Sequence, residues 1–99
     1  MGLKILLENS KNNMEIFFSE RFKKDYKLYS DDLKKIINSK LKILTENPFH
    51  PSLRTKKIKG KEDIFETSIS MSIRMTCGYY GNGILLRAVG GHDKTLKNP

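Results

Sequence analysis

The feature that most constrains the fold is a long alternation of apolar and polar residues in the second half of the chain. From Phe65 to Cys77 the odd positions are Phe, Thr, Ile, Met, Ile, Met and Cys, and the even positions are Glu, Ser, Ser, Ser, Arg and Thr. A period of two is typical of a β-strand with one buried and one polar face. The segment is long for one strand, so we expect a bend or hairpin near Ser70 to Ser72. The preserved parity favours a three-residue turn or a bent continuous strand, with Met71 and Met75 in the core.

Further strands are predicted on both sides of this segment. The sequence "GNG" at Gly81 to Gly83 is a turn signal between "MTCGYY" and "ILLRAV", which predicts a hairpin. The segment "TKKIKG", closed by Gly60, is a further candidate strand, and "MEIFF" from Met14 to Phe18 is a short one. Residues 1 to 13 form an amino-terminal extension of uncertain status, either loosely held or preceding an alternative start at Met14.

Two amphipathic helices lie between the first strand and the rest. Ser19 can cap the first helix, in which Phe22, Tyr26 and Tyr29 recur at helical spacing. Ser30 or Asp31 begins the second, and Asn47-Pro48 ends it. Its apolar stripe consists of Leu33, Ile36, Ile37, Leu41 and Leu44. The order predicts an α+β fold: an antiparallel four- or five-stranded sheet with an amino-terminal helical hairpin on one face, forming a single domain over residues 14 to 99.

Composition narrows the class of protein further. With 99 residues the chain suits one domain, and it has no apolar run near the roughly 20 residues that span a membrane. Cys77 is the sole cysteine, which excludes an internal disulfide and a multi-cysteine zinc site and favours an inert core thiol. The opening segment lacks a small-residue cleavage site, so we expect a cytoplasmic protein without membrane association. No metal and no cofactor is expected.

The charge balance points to an anionic partner. The formal net charge is +8, from 19 Lys and Arg against 11 Asp and Glu. A basic surface of this kind attracts polyanions and acidic proteins. A lysine-rich soluble protein without such a partner is the alternative that charge alone leaves open.

Candidate binding residues gather on the polar face of the predicted sheet. Arg74 shares the parity of the serines, and Arg87 is a cation within the apolar run "ILLRAV", where it needs a partner, an anionic ligand or solvent. Tyr79 and Tyr80 add aromatic rings nearby. The preceding basic segment contributes Arg54, Lys56, Lys57, Lys59 and Lys61. Cations that hold phosphates, beside rings that stack on unpaired bases, suit RNA.

Several short motifs follow one another along the chain. Their order is more specific for one protein family than any single motif is. After "MEIFFSERFKKDYKLY" come "NPF", the basic "KKIKG", "IRMTC", "ILLR" and a Gly-His-Asp turn. Over about residues 14 to 99 this order resembles the RelE/ParE superfamily of type II toxin–antitoxin toxins, on the RelE and YafQ-like side. The resemblance implies an antiparallel sheet with a helical hairpin, cleavage of messenger RNA in the ribosomal A site, and neutralisation by an antitoxin protein.

The chemistry of RNA cleavage assigns roles to the candidate residues. The 2′-OH must lose a proton, the charge that develops on phosphorus must be stabilised, and the 5′ oxygen must gain a proton. Histidine titrates near neutrality and arginine matches phosphate oxygens, so His92 is the predicted general acid or base and Arg74 and Arg87 are the predicted phosphate ligands. Glu66 is a candidate base if it lies near Arg74. RNA-backbone binding is assigned to Arg54, Lys56, Lys57 and Lys59, and base stacking to Tyr79 or Tyr80.

Each assignment has a simpler alternative. His92 beside two glycines also fits an exposed turn residue, and Arg74 also fits an ion-pair partner of Glu66. The lysines also fit a solvated surface, and His50, between prolines, is expected to be structural or incidental. Asp93 either caps the last turn or orients His92 by accepting a hydrogen bond.

Two other functions remain open at the level of the sequence. ParE-type members of the superfamily poison DNA gyrase without cutting RNA, so the same fold also serves as a protein-binding inhibitor. Where RelE-like relatives carry catalytic lysines after the basic loop, this chain has Glu66, Thr67 and Ser68, and an extra residue separates Arg87 from His92 relative to the YafQ-like pattern. A catalytically weakened module that binds only antitoxin or RNA is therefore the third possibility.

Overall fold

The computed structural model describes residues 4–5 and 15–99. Its strands are β1 (Lys4–Ile5), β2 (Ile16–Phe18), β3 (Lys56–Lys57), β4 (Phe65–Ser68), β5 (Ile73–Tyr80) and β6 (Gly83–Gly91). Its helices are α1 (Glu20–Lys27), α2 (Asp31–Glu46) and α3 (His92–Lys97), with a short 3-10 helix at Pro51–Leu53. The described part of the chain contains no helix that is long and apolar enough to span a membrane.

The strands form one sheet in the order β1-β2-β6-β5-β4-β3. The predicted α+β class and helical hairpin are confirmed, and the described residues form six strands rather than four or five. The prediction of an antiparallel sheet is wrong at one pair, because β2 runs parallel to β6. The connection between these two strands contains α1, α2, the 3-10 helix and three other strands, and a parallel pair requires a long connection of this kind.

The two turns predicted from the sequence are both present. Ile69 N–H donates to the Ile73 carbonyl across the three residues Ser70 to Ser72, so the three-residue turn is confirmed. Tyr80 pairs with Gly83 across a two-residue turn, in which Gly81 has a positive φ of 58°. The prediction that Met71 is core is wrong: it is 95% exposed because it occupies the tip of the turn, whereas Met75 is fully buried.

The helical hairpin packs on one face of the sheet, here called the helical face. Ser19 and Ser30 cap α1 and α2 by accepting the amide hydrogens of Phe22 and Leu33, as predicted. Asn47 follows α2 immediately before Pro48, also as predicted. The hydrophobic core joins the buried side chains of the hairpin to those of the sheet, including Phe22, Ile37, Leu41, Leu44, Met75, Cys77, Ile84, Leu86 and Val89.

A β-bulge at Arg87 sets the register of the last strand. Thr76 pairs with Ala88 and Cys77 pairs with Leu86, which leaves Arg87 as the extra residue on β6. The bulge returns Val89 to the helical face opposite Met75 and brings Gly90 opposite Arg74. Relative to the YafQ-like pattern, this chain has one extra residue between Arg87 and His92. The bulge accommodates that extra residue within the sheet.

The opposite side of the sheet, here called the polar face, is partly covered. The segment after β6 forms α3 and contacts both β5 and β6. A Cβ at Gly90 would lie 2.5 Å from the Thr95 hydroxyl, so glycine at this position permits the close approach of α3. Pro99 is buried, and Thr76, a predicted polar-face residue, is fully buried beneath this segment.

The predicted boundary between an extension and the domain lies in a region that is described only in part. Residues 1–3 and 6–14 are outside the described residues. Lys4 and Ile5 pair antiparallel with Phe17 and Ile16, which adds a strand to the edge of the sheet beside β2.

Candidate functional site

The polar face carries a cluster of three charged residues from three adjacent strands. Lys56 on β3 pairs with Glu66 on β4, and Arg74 on β5 pairs with Ser68, so the three side chains lie on one face. Glu66 Oε1 is 3.8 Å from Arg74 Nε and 4.0 Å from Lys56 Nζ. We call these residues the polar cluster. Sequence parity predicted the positions of Glu66 and Arg74, and both are confirmed on this face.

Arg74 is held rigidly by the turn that precedes it. Its side chain is only 15% exposed. Its Nη1 donates to the carbonyl oxygens of Ser70, Met71 and Ile73. Nη2 makes no hydrogen bond with any residue that the structure describes, so one edge of a fixed guanidinium remains available to an anion.

Glu66 is a mostly buried carboxylate between two cations. The residue is 7% exposed, whereas the Lys56 side chain is 71% exposed. Because the lysine is solvated and the arginine is not, the contact with Arg74 contributes more to the stability of the carboxylate. A carboxylate accepts protons and a guanidinium binds anions, so both groups needed for phosphoryl chemistry lie within 4 Å of each other.

His92 lies at the same end of the sheet as Arg74. Its amide donates to the Ser72 carbonyl at 2.8 Å, so it is anchored to the turn that also binds Arg74. Its Nδ1 is 2.9 Å from Asp93 Oδ1, the orienting contact that the sequence suggested. The predicted Gly-His-Asp turn is instead the start of α3, since His92 is the first helical residue. The imidazole is 49% exposed and accessible to a ligand.

Arg87 makes its hydrogen bonds with residues outside the polar cluster. Its Nε donates to the Pro99 carbonyl at 3.1 Å, and its carbonyl accepts from Ser19 Oγ at 2.8 Å. The structure thus gives this cation an intramolecular partner, the first of the three possibilities that the sequence left open.

The predicted RNA-binding residues divide between the two faces. Lys56 and Tyr80 have the parity of the polar face, and the Tyr80 ring is edge-to-face with Phe17 at 5.2 Å. Tyr79 lies on the helical face, edge-to-face with Phe65 at 5.6 Å, and Lys57 pairs with that same residue. Tyr80 is therefore the tyrosine that shares a face with Arg74.

The remaining basic residues lie outside the sheet. Arg54 is exposed and has a positive φ of 50° after the 3-10 helix, and Lys59 is exposed in the loop between β3 and β4. His50 is structural, as expected: its Nδ1 accepts the Ser52 amide hydrogen at 3.1 Å at the start of the 3-10 helix. Burial raises the pKa of the Cys77 thiol to about 12, so it is an inert core residue, as predicted.

Two residues of the polar face were not singled out as functional candidates from the sequence. Phe17 lies between buried Ile16 and Phe18, and this alternation places its ring on the polar face. Pro99 offered no signal, since its contacts with Thr76 and Arg87 join positions far apart in the chain. Among the described residues, no group of three His, Cys, Asp or Glu side chains is suited to hold a metal ion.

No protein-family model and no curated protein matches the chain. Solved structures do match it. The YoeB dimer from Staphylococcus aureus is 24% identical, with 78% of this chain and 94% of that chain covered and a TM-score of 0.68. A chain of the DinJ–YafQ toxin–antitoxin complex from E. coli is 14% identical, with 83% and 96% covered and a TM-score of 0.69.

A third matching structure is also an antitoxin–toxin complex. A chain of the RelB–RelE antitoxin–toxin complex from Methanococcus jannaschii is 22% identical, with 83% of this chain and 98% of that chain covered and a TM-score of 0.62. At these identities the similarity establishes the fold. The predicted resemblance to the RelE/ParE superfamily is confirmed at that level: this chain has the fold of RelE, YoeB and YafQ-type toxins.

Proposed function

We propose that this protein is the toxin of a type II toxin–antitoxin system and cleaves messenger RNA on the ribosome without a metal ion. The observation that carries the proposal is the polar cluster, in which Glu66 lies 3.8 Å from a rigidly held Arg74, at the end of the sheet where His92 begins α3. The toxin fold supports the same activity.

The proposed reaction is an internal transesterification. Glu66 accepts the proton of the 2′-OH, and the 2′ oxygen attacks the adjacent phosphorus. Arg74 and Lys56 stabilise the added negative charge on the phosphoryl oxygens. His92, with Nδ1 directed to Asp93, gives a proton from Nε2 to the departing 5′ oxygen. The products are a 2′,3′-cyclic phosphate and a 5′-hydroxyl end.

Substrate binding relies on charge and on one aromatic ring. Arg54 and Lys59 are exposed cations just before and just after β3, the strand of Lys56, and their charge favours phosphate contacts. Tyr80 is 59% exposed on the same face as Arg74 and is suited to stack on an unpaired base. Lys57 and Tyr79, on the helical face, are removed from this role.

The proposed protein partner is an antitoxin with an acidic segment. The net charge of +8 favours a segment of this kind, which orders on binding and covers the basic surface. The antitoxin–toxin complexes among the matching structures support a partner of this class.

Induction of the protein in cells tests the proposal. Within minutes, transcripts should acquire new 5′-hydroxyl ends phased with codons, and growth should stop. The His92→Gln variant should keep its melting temperature, lose the cuts and permit growth, because glutamine cannot transfer a proton at neutral pH.

Intact transcripts together with gyrase-linked DNA breaks would replace the nuclease with a ParE-like inhibitor. Intact transcripts and normal growth, with retained binding of RNA or of an acidic partner, would instead indicate a module that has lost catalysis. Unchanged cleavage by the His92→Gln variant would remove His92 from the mechanism.

A further inference from the structure

The turn between β4 and β5 holds two of the proposed reactive groups at once. The His92 amide donates to the Ser72 carbonyl at 2.8 Å. Arg74 Nη1 donates to three main-chain carbonyl oxygens of the same turn, those of Ser70, Met71 and Ile73. Each carbonyl from position 70 to position 73 therefore accepts a hydrogen bond from the arginine or from the histidine.

The bond to His92 continues the pairing of β5 with β6. Ile73 and Gly91 are the last pair of that ladder, and the contact between Ser72 and His92 extends it by one residue onto the turn. No side chain caps the start of α3. The turn therefore ties the first residue of this helix to the sheet.

All of these contacts use main-chain oxygens, so they depend on the shape of the turn. Packing contributes little to that shape, because Met71 at the tip is 95% exposed and Ser72 is exposed as well. An exposed turn of this kind keeps its conformation through its own hydrogen bonds.

One side chain closes the turn. Ser70 Oγ accepts the Ile73 amide hydrogen at 3.2 Å, and the Ser70 amide donates to the Ile73 carbonyl at 3.3 Å. Serine hydroxyls commonly replace main-chain acceptors in turns in this way. Ile73 is buried, so its amide hydrogen would be left without an acceptor if the hydroxyl were removed. The turn would then have to open for water to reach that amide.

We propose that Ser70 is a positioning residue that fixes Arg74 and His92 relative to each other through the closed turn. The inference rests on the proposed function for the roles of the arginine and the histidine. Ser70 acts on the reaction only through the carbonyl oxygens that hold these two residues. Loss of its hydroxyl should therefore misplace the phosphate ligand and the proton donor together.

Three variants test this role in RNA cleavage. Ser70→Ala removes the acceptor and Ser70→Thr keeps it. Ser72→Ala is the matched control, because this exposed hydroxyl has no hydrogen-bond partner among the described residues and the carbonyl that holds His92 is retained. The melting temperature of each variant establishes that it is folded.

The expected result is a loss of rate without a loss of binding. On saturating programmed ribosomes, Ser70→Ala should lower the single-turnover rate at least about tenfold, because small misplacements of reacting groups are costly. Its Kd for a 2′-O-methylated RNA hexanucleotide, which lacks the attacking hydroxyl, should change by less than about twofold, because the charges are unchanged. Ser70→Thr should restore the rate, and Ser72→Ala should leave it at the wild-type value.

Equal rates for Ser70→Ala and Ser72→Ala would overturn the positioning role and leave the nuclease in place. So would a loss of rate that Ser70→Thr does not restore. No cleavage by the wild-type protein would instead contradict the proposed function.

Hydrogen exchange of the His92 amide tests the anchor without RNA. In the wild-type protein this amide should be protected by its bond to Ser72. In Ser70→Ala it should exchange at least about fivefold faster, because opening of the turn exposes it to water. Ser72→Ala should leave its exchange unchanged. An unprotected His92 amide in the wild-type protein, or equal exchange in Ser70→Ala, would overturn the proposal whatever the outcome of the cleavage assay.

Discussion

Glu66 is the residue on which the proposed chemistry depends most. A carboxylate that is 7% exposed is costly to bury unless it is paired, and Arg74, itself 15% exposed on its side chain, is the partner that is also removed from water. The Lys56 contact at 4.0 Å involves a 71% exposed ammonium, for which pairing energies are usually below about 1 kcal/mol. Arg74 therefore fixes the position of the carboxylate, and Lys56 remains free to move toward a substrate.

Substitution of Glu66 by glutamine removes the proton-accepting carboxylate and nearly preserves the shape of the side chain. Glu66→Gln should lower the single-turnover rate of RNA cleavage by about 10²–10⁴-fold, the usual contribution of a general base. Glu62→Gln is the matched control, since it makes the same charge change at an exposed position in the preceding loop. Equal rates for the two variants would make Glu66 a structural ion-pair partner of Arg74.

Sequence parity predicted some single residues well and failed at others for clear reasons. Arg74 and Glu66 lie on the predicted face because both belong to the uninterrupted alternation from Phe65 to Cys77. Met71 has the parity of the core but lies at the tip of a turn, where the alternation no longer reports burial. The partner of Arg87 was not predictable, because it is a backbone oxygen 12 positions along the chain.

At the scale of elements, the start of α1 is joined to the sheet more firmly than the start of α2. Ser19 Oγ accepts the Phe22 amide hydrogen at 3.0 Å and donates to the Arg87 carbonyl at 2.8 Å. Its own amide donates to the Leu86 carbonyl. Within the described part of the chain, Ser30 Oγ accepts only the Leu33 amide hydrogen, at an exposed site. Ser19 thus links the cap of α1 to the bulge in β6, whereas the Ser30 hydroxyl caps α2 without a contact to the bulge.

This difference predicts unequal losses of stability. Ser19→Ala should lower the free energy of unfolding by about 2 kcal/mol, because it removes a cap and leaves the Arg87 carbonyl with one donor fewer. Ser30→Ala, the matched control, should cost about 1 kcal/mol or less. Urea denaturation of the two variants measures the difference, and equal losses would mean that the Ser19–Arg87 bond contributes nothing to stability.

The elements themselves were largely predictable from the sequence. The way in which distant elements pack against one another was not. Caps, the proline after α2 and the glycine turn are local signals, and each one was confirmed. The parallel pairing of β2 with β6 and the position of α3 on the polar face depend on contacts between distant segments. The two glycines before His92 suggested a turn, whereas Gly90 instead permits the approach of Thr95 from α3.

At the scale of the whole molecule, the sheet separates a side that packs the apolar core from a side that carries charged residues. The helical face buries the core, including Met75 and Leu86, and the polar face carries the charged cluster and the segment that covers Thr76. The net charge of +8 adds a general attraction for polyanions that weakens as salt concentration rises. The fold is shared by structures of YoeB, YafQ and RelE-type toxins, whereas the proposed activity depends on the residues of this chain's own polar face.

The most direct test of the central proposal is the end chemistry of RNA cut by the purified protein on programmed ribosomes. Attack by the 2′-OH predicts fragments with a 2′,3′-cyclic phosphate and a 5′-hydroxyl, and a message with a single 2′-deoxy nucleotide at the cut site should stay intact there. Cleavage at the deoxy position, or fragments with 5′-phosphate ends, would contradict the proposed mechanism, and no cleavage by the wild-type protein would contradict the nuclease itself.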